Sequence, residues 1–312
     1  MTIPANTRET YPALGPGRAE NPGPPGGIRE DLSDIIYNIS PEETPFMSAI
    51  GKSSCDNTYF EWQIDELADG DDNFHIEGDD ATAIAAAEPL RVGNYTQISS
   101  KTVRSSGTAE AVDFAGRKST QAYQMAKRAK ELKLDMEHML LALAQAPTAG
   151  GSGTPRKTGS VGAWITTNVV AASAAPDEAD IKEMMEMCWE EGAKPTVLMC
   201  DGVIKQQISA LSASVSELRT AANDKSPAYV VAAVDIYVSD FGNLQIVPNR
   251  LMPAQTAYFL DYEFWDIAYL RPFMTHDIAR MGDSVAQQLL VEFGLRSKNE
   301  KANGKITGWA AP

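Results

Sequence analysis

Thr120 to Ala146 reads TQAYQMAKRAKELKLDMEHMLLALAQA, with no proline or glycine to interrupt it. Apolar residues recur at Tyr123, Ala126, Ala129, Leu132, Met136, Met139 or Leu140, and Leu143. Steps of three and four place them on one face of a helix. Such a helix is roughly 40 Å long at about 1.5 Å per residue, the span of a small domain. Its opposite face carries Lys127, Arg128, Lys130 and Lys133 in the first half. Met139 to Ala144 is apolar on all sides, which predicts burial of that end. Pro147 and the glycines Gly150, Gly151 and Gly153 are its stop signals.

N-terminal to this helix the character changes. From Glu61 to Glu88 there are ten carboxylates and no Lys or Arg, too hydrophilic a stretch to build a core. Tyr59, Phe60, Trp62 and Ile64 give strand character just before it, and Val92 to Val103 resumes the alternation just after. Two strands around a long polar excursion predict an extended hairpin whose tip holds Asp69, Asp71, Asp72, Glu77, Asp79 and Asp80. Between Arg91 and Lys133 lie nine basic and three acidic residues, a local excess of six positive charges that could receive such a tip from a second copy.

The first 27 residues hold six prolines and five glycines, which predicts an extended arm. Short helices are expected at Asp31–Asn38 and Thr44–Ile50, with Ser40 and Glu43 in capping-box spacing. Beyond the glycine loop the pattern is α/β. Asp177 can cap a helix ending at Gly192, and Pro195–Cys200 is a buried strand. A second helix starts at Asp201 and runs through Leu211. Strands follow at Tyr229–Val238, Leu244–Val247, Thr256–Leu260 and Gln287–Leu295.

With 312 residues, 43% of them hydrophobic, the chain can bury a substantial core. Its 27 basic and 42 acidic residues leave a formal charge of −15, which argues against a protein that clamps nucleic acid by neutralising phosphates. A container that must not stick to its contents suits that charge. Cys55, Cys188 and Cys200 form no CxxC pair, so they are expected reduced and mostly buried. No signal-peptide pattern and no apolar run of about 18 residues is present, which predicts synthesis in a cytoplasm and no membrane partner.

No motif for chemistry is complete. GGSGTPRKT resembles a phosphate-cradling loop, but Arg156 stands where glycine should precede Lys157, and the loop follows a helix instead of a strand. Asp69, Asp71, Asn73 and Asp80 imitate a calcium loop in which Phe74 replaces the required glycine. Asp201 lacks the second aspartate of phosphatase nucleophiles, because Val203 stands there. The DFG at Asp240–Gly242 has no other kinase element beside it and reads as a hairpin turn. His75, His138 and His276 are scattered. The expectation is no enzyme, no cofactor and no metal.

Four tracts in order carry a resemblance: REDLSDIIYNISPEETPFMSAIG (Arg29 to Gly51), SSGTAEAVDFAGRKSTQAYQMAKRAKELKLDME, DIYVSDFGNLQIVPNR (Asp235 to Arg250), and YFLDYEFWDIAYLRPF with GDSVAQQLLVEFGLRSKNEKANGKITG. Together they resemble tailed-phage major capsid proteins of the Hong Kong 97-like, α+β fold. The resemblance implies an N-terminal arm (1–52), an extended hairpin or E-loop (53–106), and a peripheral domain with a spine helix (107–164). An α/β axial domain (165–270) and a return to the peripheral domain (271–312) would follow. It also implies pentamers and hexamers of the chain itself, a separate scaffolding protein, a portal, and enclosed double-stranded DNA held without sequence-specific binding. The setting would be a virion capsid assembled in a bacterial cytoplasm. Some relatives cross-link through an E-loop lysine, yet Trp62 to Leu90 contains none. Alternatives are an encapsulin-like shell, a metal-dependent hydrolase using Asp201, and a calcium-dependent adhesin. The contact candidates are Asp69, Asp71, Asp72, Asp79 and Asp80 on the tip, and Lys127, Arg128, Lys130 and Lys133 on the spine.

Overall fold

The computed structural model describes residues 40–68, 70, 72–78, 80, 88–112, 114, 116–215, 235–280 and 282–310. The helix expected at Asp31–Asn38, the first part of the strand expected from Tyr229, and Asp69, Asp71 and Asp79 lie outside them. The first described helix, α1 (Pro45–Ala49), begins on a proline, whose missing N–H costs nothing at that position. Its N-cap is Thr44, without a side-chain cap bond, so the Ser40/Glu43 box does not form the cap. Glu137, far along the chain, accepts from the Phe46 and Met47 amides instead, each at 2.8 Å.

Strand β1 (Gly51–Ser54) leads to β2 (Tyr59–Ile64), which pairs antiparallel with β3 (Leu90–Tyr95) as the expected hairpin. The strand expected over Val92–Val103 is two strands. The chain breaks at the buried Thr96, and β4 (Gln97–Ser106) leaves the hairpin for another sheet. Thr96 marks the exchange, because its amide still donates to Thr58 O at 2.8 Å while the next residue, Gln97, pairs with Phe293. After the short α2 (Gly107–Ala111) comes the spine, α3 (Thr120–Leu141). Ser119 caps it by accepting from Ala122 N, and Glu110 accepts from Gln121 N at 2.7 Å, a carboxylate at the positive end of the helix.

The spine ends at Leu141, short of the expected Ala146. Tyr258 Oη donates to the Leu141 carbonyl at 3.0 Å, and Ser160 N donates to Gln145 O at 2.9 Å. These bonds draw the chain away from the helix axis where apolar sequence alone would have let it continue. Of the end expected to be buried, Leu140 and Leu141 are fully so, but Leu143 is exposed.

Helix α4 (Val161–Trp164) and β5 (Val169–Ala171) follow, then α5 (Glu178–Glu190), capped by Asp177. Next come β6 (Val197–Cys200), α6 (Gly202–Val215), β7 (Ile236–Ser239), β8 (Gly242–Pro248) and β9 (Thr256–Leu260). DFG makes the turn between β7 and β8, as the sequence implies. Two 14-residue strands, β10 (Trp265–Ile278) and β11 (Ser284–Ser297), pair antiparallel, and β12 (Gly304–Thr307) closes the chain. Of these, β10 was not expected as a strand; Pro272 interrupts its pattern, and the register shifts around Arg271 accommodate it.

Two sheets organise these elements. One has the order β1-β10-β11-β4, and the spine packs on it through Leu132, Met136, Leu140, Val291, Phe293 and Leu295. The other has the order β5-β12-β9-β6-β8-β7 and is packed by α5 and α6 through Met184, Cys188, Ile204, Phe259 and Ile306. The chain crosses between them more often than the expected division implies. β10 and β11 lie in the first sheet, whereas β12, inside the expected peripheral return of 271–312, is held in the second between β5 and β9. The fully buried Trp309, whose indole donates to Asp180 Oδ2 at 2.7 Å, anchors it there.

Candidate intersubunit surfaces

The hairpin projects its acidic residues from a firmly held root. Asn94 is fully buried and bonds on both sides of its amide. Its Nδ2 donates to Thr158 Oγ1 at 3.0 Å and Leu295 O at 2.6 Å, and its Oδ1 accepts from Gly159 N at 2.8 Å. Phe60 presses onto β11 at Gly294, where an added Cβ would meet the ring at 2.4 Å. Trp62 packs against Trp164 with ring centroids 5.4 Å apart. Farther out the restraint is a surface ion pair, Lys301 to Glu66 at 3.0 Å, and Lys301 also reaches Glu191 at 3.1 Å. A half-exposed lysine shared between two surface carboxylates is a weak tether.

At the tip, Asp72 and Asp80 are exposed; Asp69, Asp71 and Asp79 are outside the described residues. Beside them stand three side chains that the charge pattern concealed: Leu67 at 98%, Phe74 at 87% and Ile76 at 80% exposure. Each is a large apolar group left uncovered among the described residues, an arrangement typical of a contact surface. Their signal was present as apolar residues inside a stretch with no core to join, but ten carboxylates outweighed it.

On the spine, Lys127 and Lys133 are exposed. Lys130 is engaged within the chain, 2.7 Å from Glu42, and Arg128 pairs with Glu131 one turn on. Lys101, on the neighbouring strand, pairs with Asp135. Part of the expected basic surface is therefore already answered by its own subunit; Lys127 and Lys133 remain open on the spine, and Lys118 just before it is exposed as well.

Behind these surfaces lie two buried carboxylates. Glu137, on the spine and fully buried, accepts from Phe46 N, Met47 N and Asn249 Nδ2, each at 2.8 Å, so it joins α1, α3 and the segment after β8. Burial pushes its carboxyl up, while those three donors pull the other way. Glu292, on β11, is the second, with Arg156, Arg271 and Thr96 around it.

The chemical motifs resolve into structure. The glycine loop is a small hairpin with bridges Thr148↔Lys157 and Gly151↔Thr154, closed by its own backbone. Asp201 precedes α6, its carbonyl accepting from Lys205 N at 3.0 Å. His75, His138 and His276 are exposed on the tip, the spine and β10. Among the described residues no group of three or more His, Cys, Asp or Glu could hold a metal. All three cysteines are free and buried, with burial pushing the thiols of Cys188 and Cys200 up to about 12.

Two solved structures that this fold resembles are an encapsulin complex and a phage capsid. The capsid asymmetric unit of cyanophage A-1(L) aligns at a TM-score of 0.66 and 12% identity, over 90% of this chain and 97% of that one. The holo-encapsulin complex of Synechococcus elongatus aligns at 0.57 and 8%, over 90% and 92%. At such identities the likeness is one of fold, the Hong Kong 97-like fold. The family model of the SU10 major capsid protein, however, matches residues 5–310. This chain belongs to that family. The major capsid protein of Escherichia phage Phieco32 agrees, 28% identical over 90% of this chain and 94% of its own length. The chain is thus a tailed-phage major capsid protein, a structural subunit that assembles with copies of itself, and not an enzyme. That decides between the phage head and the encapsulin-like alternative, which share the fold.

Proposed function

We propose that this capsid protein closes an icosahedral head around double-stranded DNA, with the acidic hairpin tip of one subunit docking on the Lys127/Lys133 face of a neighbour's spine. The observation that carries the docking is the tip itself, which exposes Leu67, Phe74 and Ile76 among carboxylates and lacks a core of its own. The apolar groups supply contact area, and the charges supply register and encounter rate. Exposed ion pairs are worth only about 0–1 kcal/mol each, so stability comes from repeating weak contacts over a closed shell.

In this reading 1–52 is the arm, 53–106 the hairpin with β4 returning from it into the first sheet, 107–164 the spine domain, 165–270 the axial domain and 271–312 the return, of which β12 stays with the axial sheet. A separate scaffolding protein and a portal complete assembly in the bacterial cytoplasm. The net charge of −15 supports a lumen that holds DNA without gripping its sequence. Electron microscopy of the chain expressed with its neighbouring genes, with assay of nuclease-protected DNA in the particles, tests the head. For the docking, Asp69, Asp71, Asp72, Asp79 and Asp80 are replaced together by Asn. The subunit stays folded, while shell assembly slows and loses much of its salt dependence. Assembly at the wild-type rate across a salt series would remove the docking role of these charges.

A further inference from the structure

We infer that Glu292 is a positioning residue that fixes the direction in which the hairpin leaves the sheet, acting through Arg156, Arg271 and Thr96. This rests on the reading of the hairpin as an intersubunit element.

Glu292 is 2% exposed and lies between two core residues of β11, Val291 and Phe293, both fully buried. Alternation sends its side chain to the opposite face of the sheet from theirs. Three segments distant in sequence meet it there. Thr96, the residue at which the chain exchanges β2 for β11, donates its hydroxyl to Oε1 at 3.0 Å. Arg271 donates Nε to Oε2 at 2.7 Å. Its place directly across from Glu292 depends on the register shift between Tyr269 and Arg271, which leaves Leu270 as the extra residue. Bulges of this kind re-aim a side chain. Arg156 donates Nη2 to Oε1 from the glycine hairpin. That hairpin has room for it at Gly150, where a Cβ would meet Arg156 Cγ at 2.5 Å. The glycine loop thereby has a structural purpose: it delivers a guanidinium to the hairpin's corner.

A buried ion pair is a weak source of stability, since desolvation offsets much of its attraction, but it demands one geometry. Here the demand falls on Thr96, where a small rotation would swing the whole projecting hairpin. An apolar cluster at the same place would tolerate several angles, whereas two guanidinium donors converging on one carboxylate tolerate few.

The test compares full-length wild type with Glu292→Gln, Arg156→Gln and Arg156→Lys by hydrogen exchange and by electron microscopy of assembly. Arg156→Gln covers the case in which Glu292→Gln fails to fold, because Glu292 keeps Arg271 there. Expected is exchange about tenfold faster in the peptide spanning Asn94–Ile98, the scale of one lost charge-assisted hydrogen bond. Exchange in β6 and β9 stays unchanged, closed shells become fewer, and Arg156→Lys partly recovers both. Unchanged exchange at the corner would overturn the inference, as would equal acceleration in both sheets, which marks a merely stabilising pair. A loosened corner with shells closing at wild-type yield would support the clamp and remove instead the intersubunit reading of the hairpin.

Discussion

At the scale of single residues, Glu137 shows how a buried charge can be held without a countercharge. Its partners are two backbone amides at the start of α1 and one side-chain amide, all at 2.8 Å. Glu137→Gln keeps the shape but turns an NH2 toward a donor, so a loss of about 1–3 kcal/mol is expected in denaturant unfolding. The pH dependence has a definite sign. Burial raises the folded-state carboxyl above its ordinary range, so the folded protein binds this proton more tightly than the unfolded chain. The contribution is present below the ordinary glutamate range and is lost as pH rises through the raised value. Wild type should therefore lose stability relative to Glu137→Gln across that window. Parallel stability curves for the two proteins would show that the three donors fully offset burial.

At the scale of elements, the end of the spine is set by a close approach. Gly162, in α4, lies so near Leu143 that an added Cβ would meet its carbonyl oxygen at 2.4 Å and Tyr258 Oη at 2.5 Å. Gly162→Ala must push backbone apart, and overpacking of this kind costs about 1–3 kcal/mol. Tyr258→Phe removes only the bond to Leu141 O and should cost about 1 kcal/mol. Urea midpoints that rank the two variants the other way would refute this account of the helix stop. The hairpin combines the opposite features, with buried Asn94 and Thr96 at its root and a surface Lys301–Glu66 pair farther out. Such an arm is firm at its base and easily released along its length.

At the scale of the whole molecule, the subunit exposes Leu67, Phe74 and Ile76 at the hairpin tip, and the proposed docking covers them with another copy. Purified protein should therefore form capsomers, shells or tubes, and a 33.7 kDa species stable over a wide concentration range would contradict this. Because Trp62 to Leu90 contains no lysine, heads boiled in detergent and reductant should run as single chains. A ladder of covalent multimers would point to a lysine elsewhere, such as Lys52 or Lys101.

Residue order alone specifies the succession of parts: the hairpin, the spine, the cap at Asp177 and the DFG turn. Each depends on periodicity or hydrogen bonds reaching a turn or two along the chain, which local residue types specify. The four tracts in order also carried the capsid resemblance. Long-range packing sets where the spine stops, which carboxylate caps α1, that β12 joins the second sheet, and that Arg271 faces Glu292. In each case the deciding partner is remote in sequence, as Glu137 is from Phe46 by 91 positions and Tyr258 from Leu141 by 117. A local pattern records which groups need a partner; the packing of distant segments selects which partner each one meets.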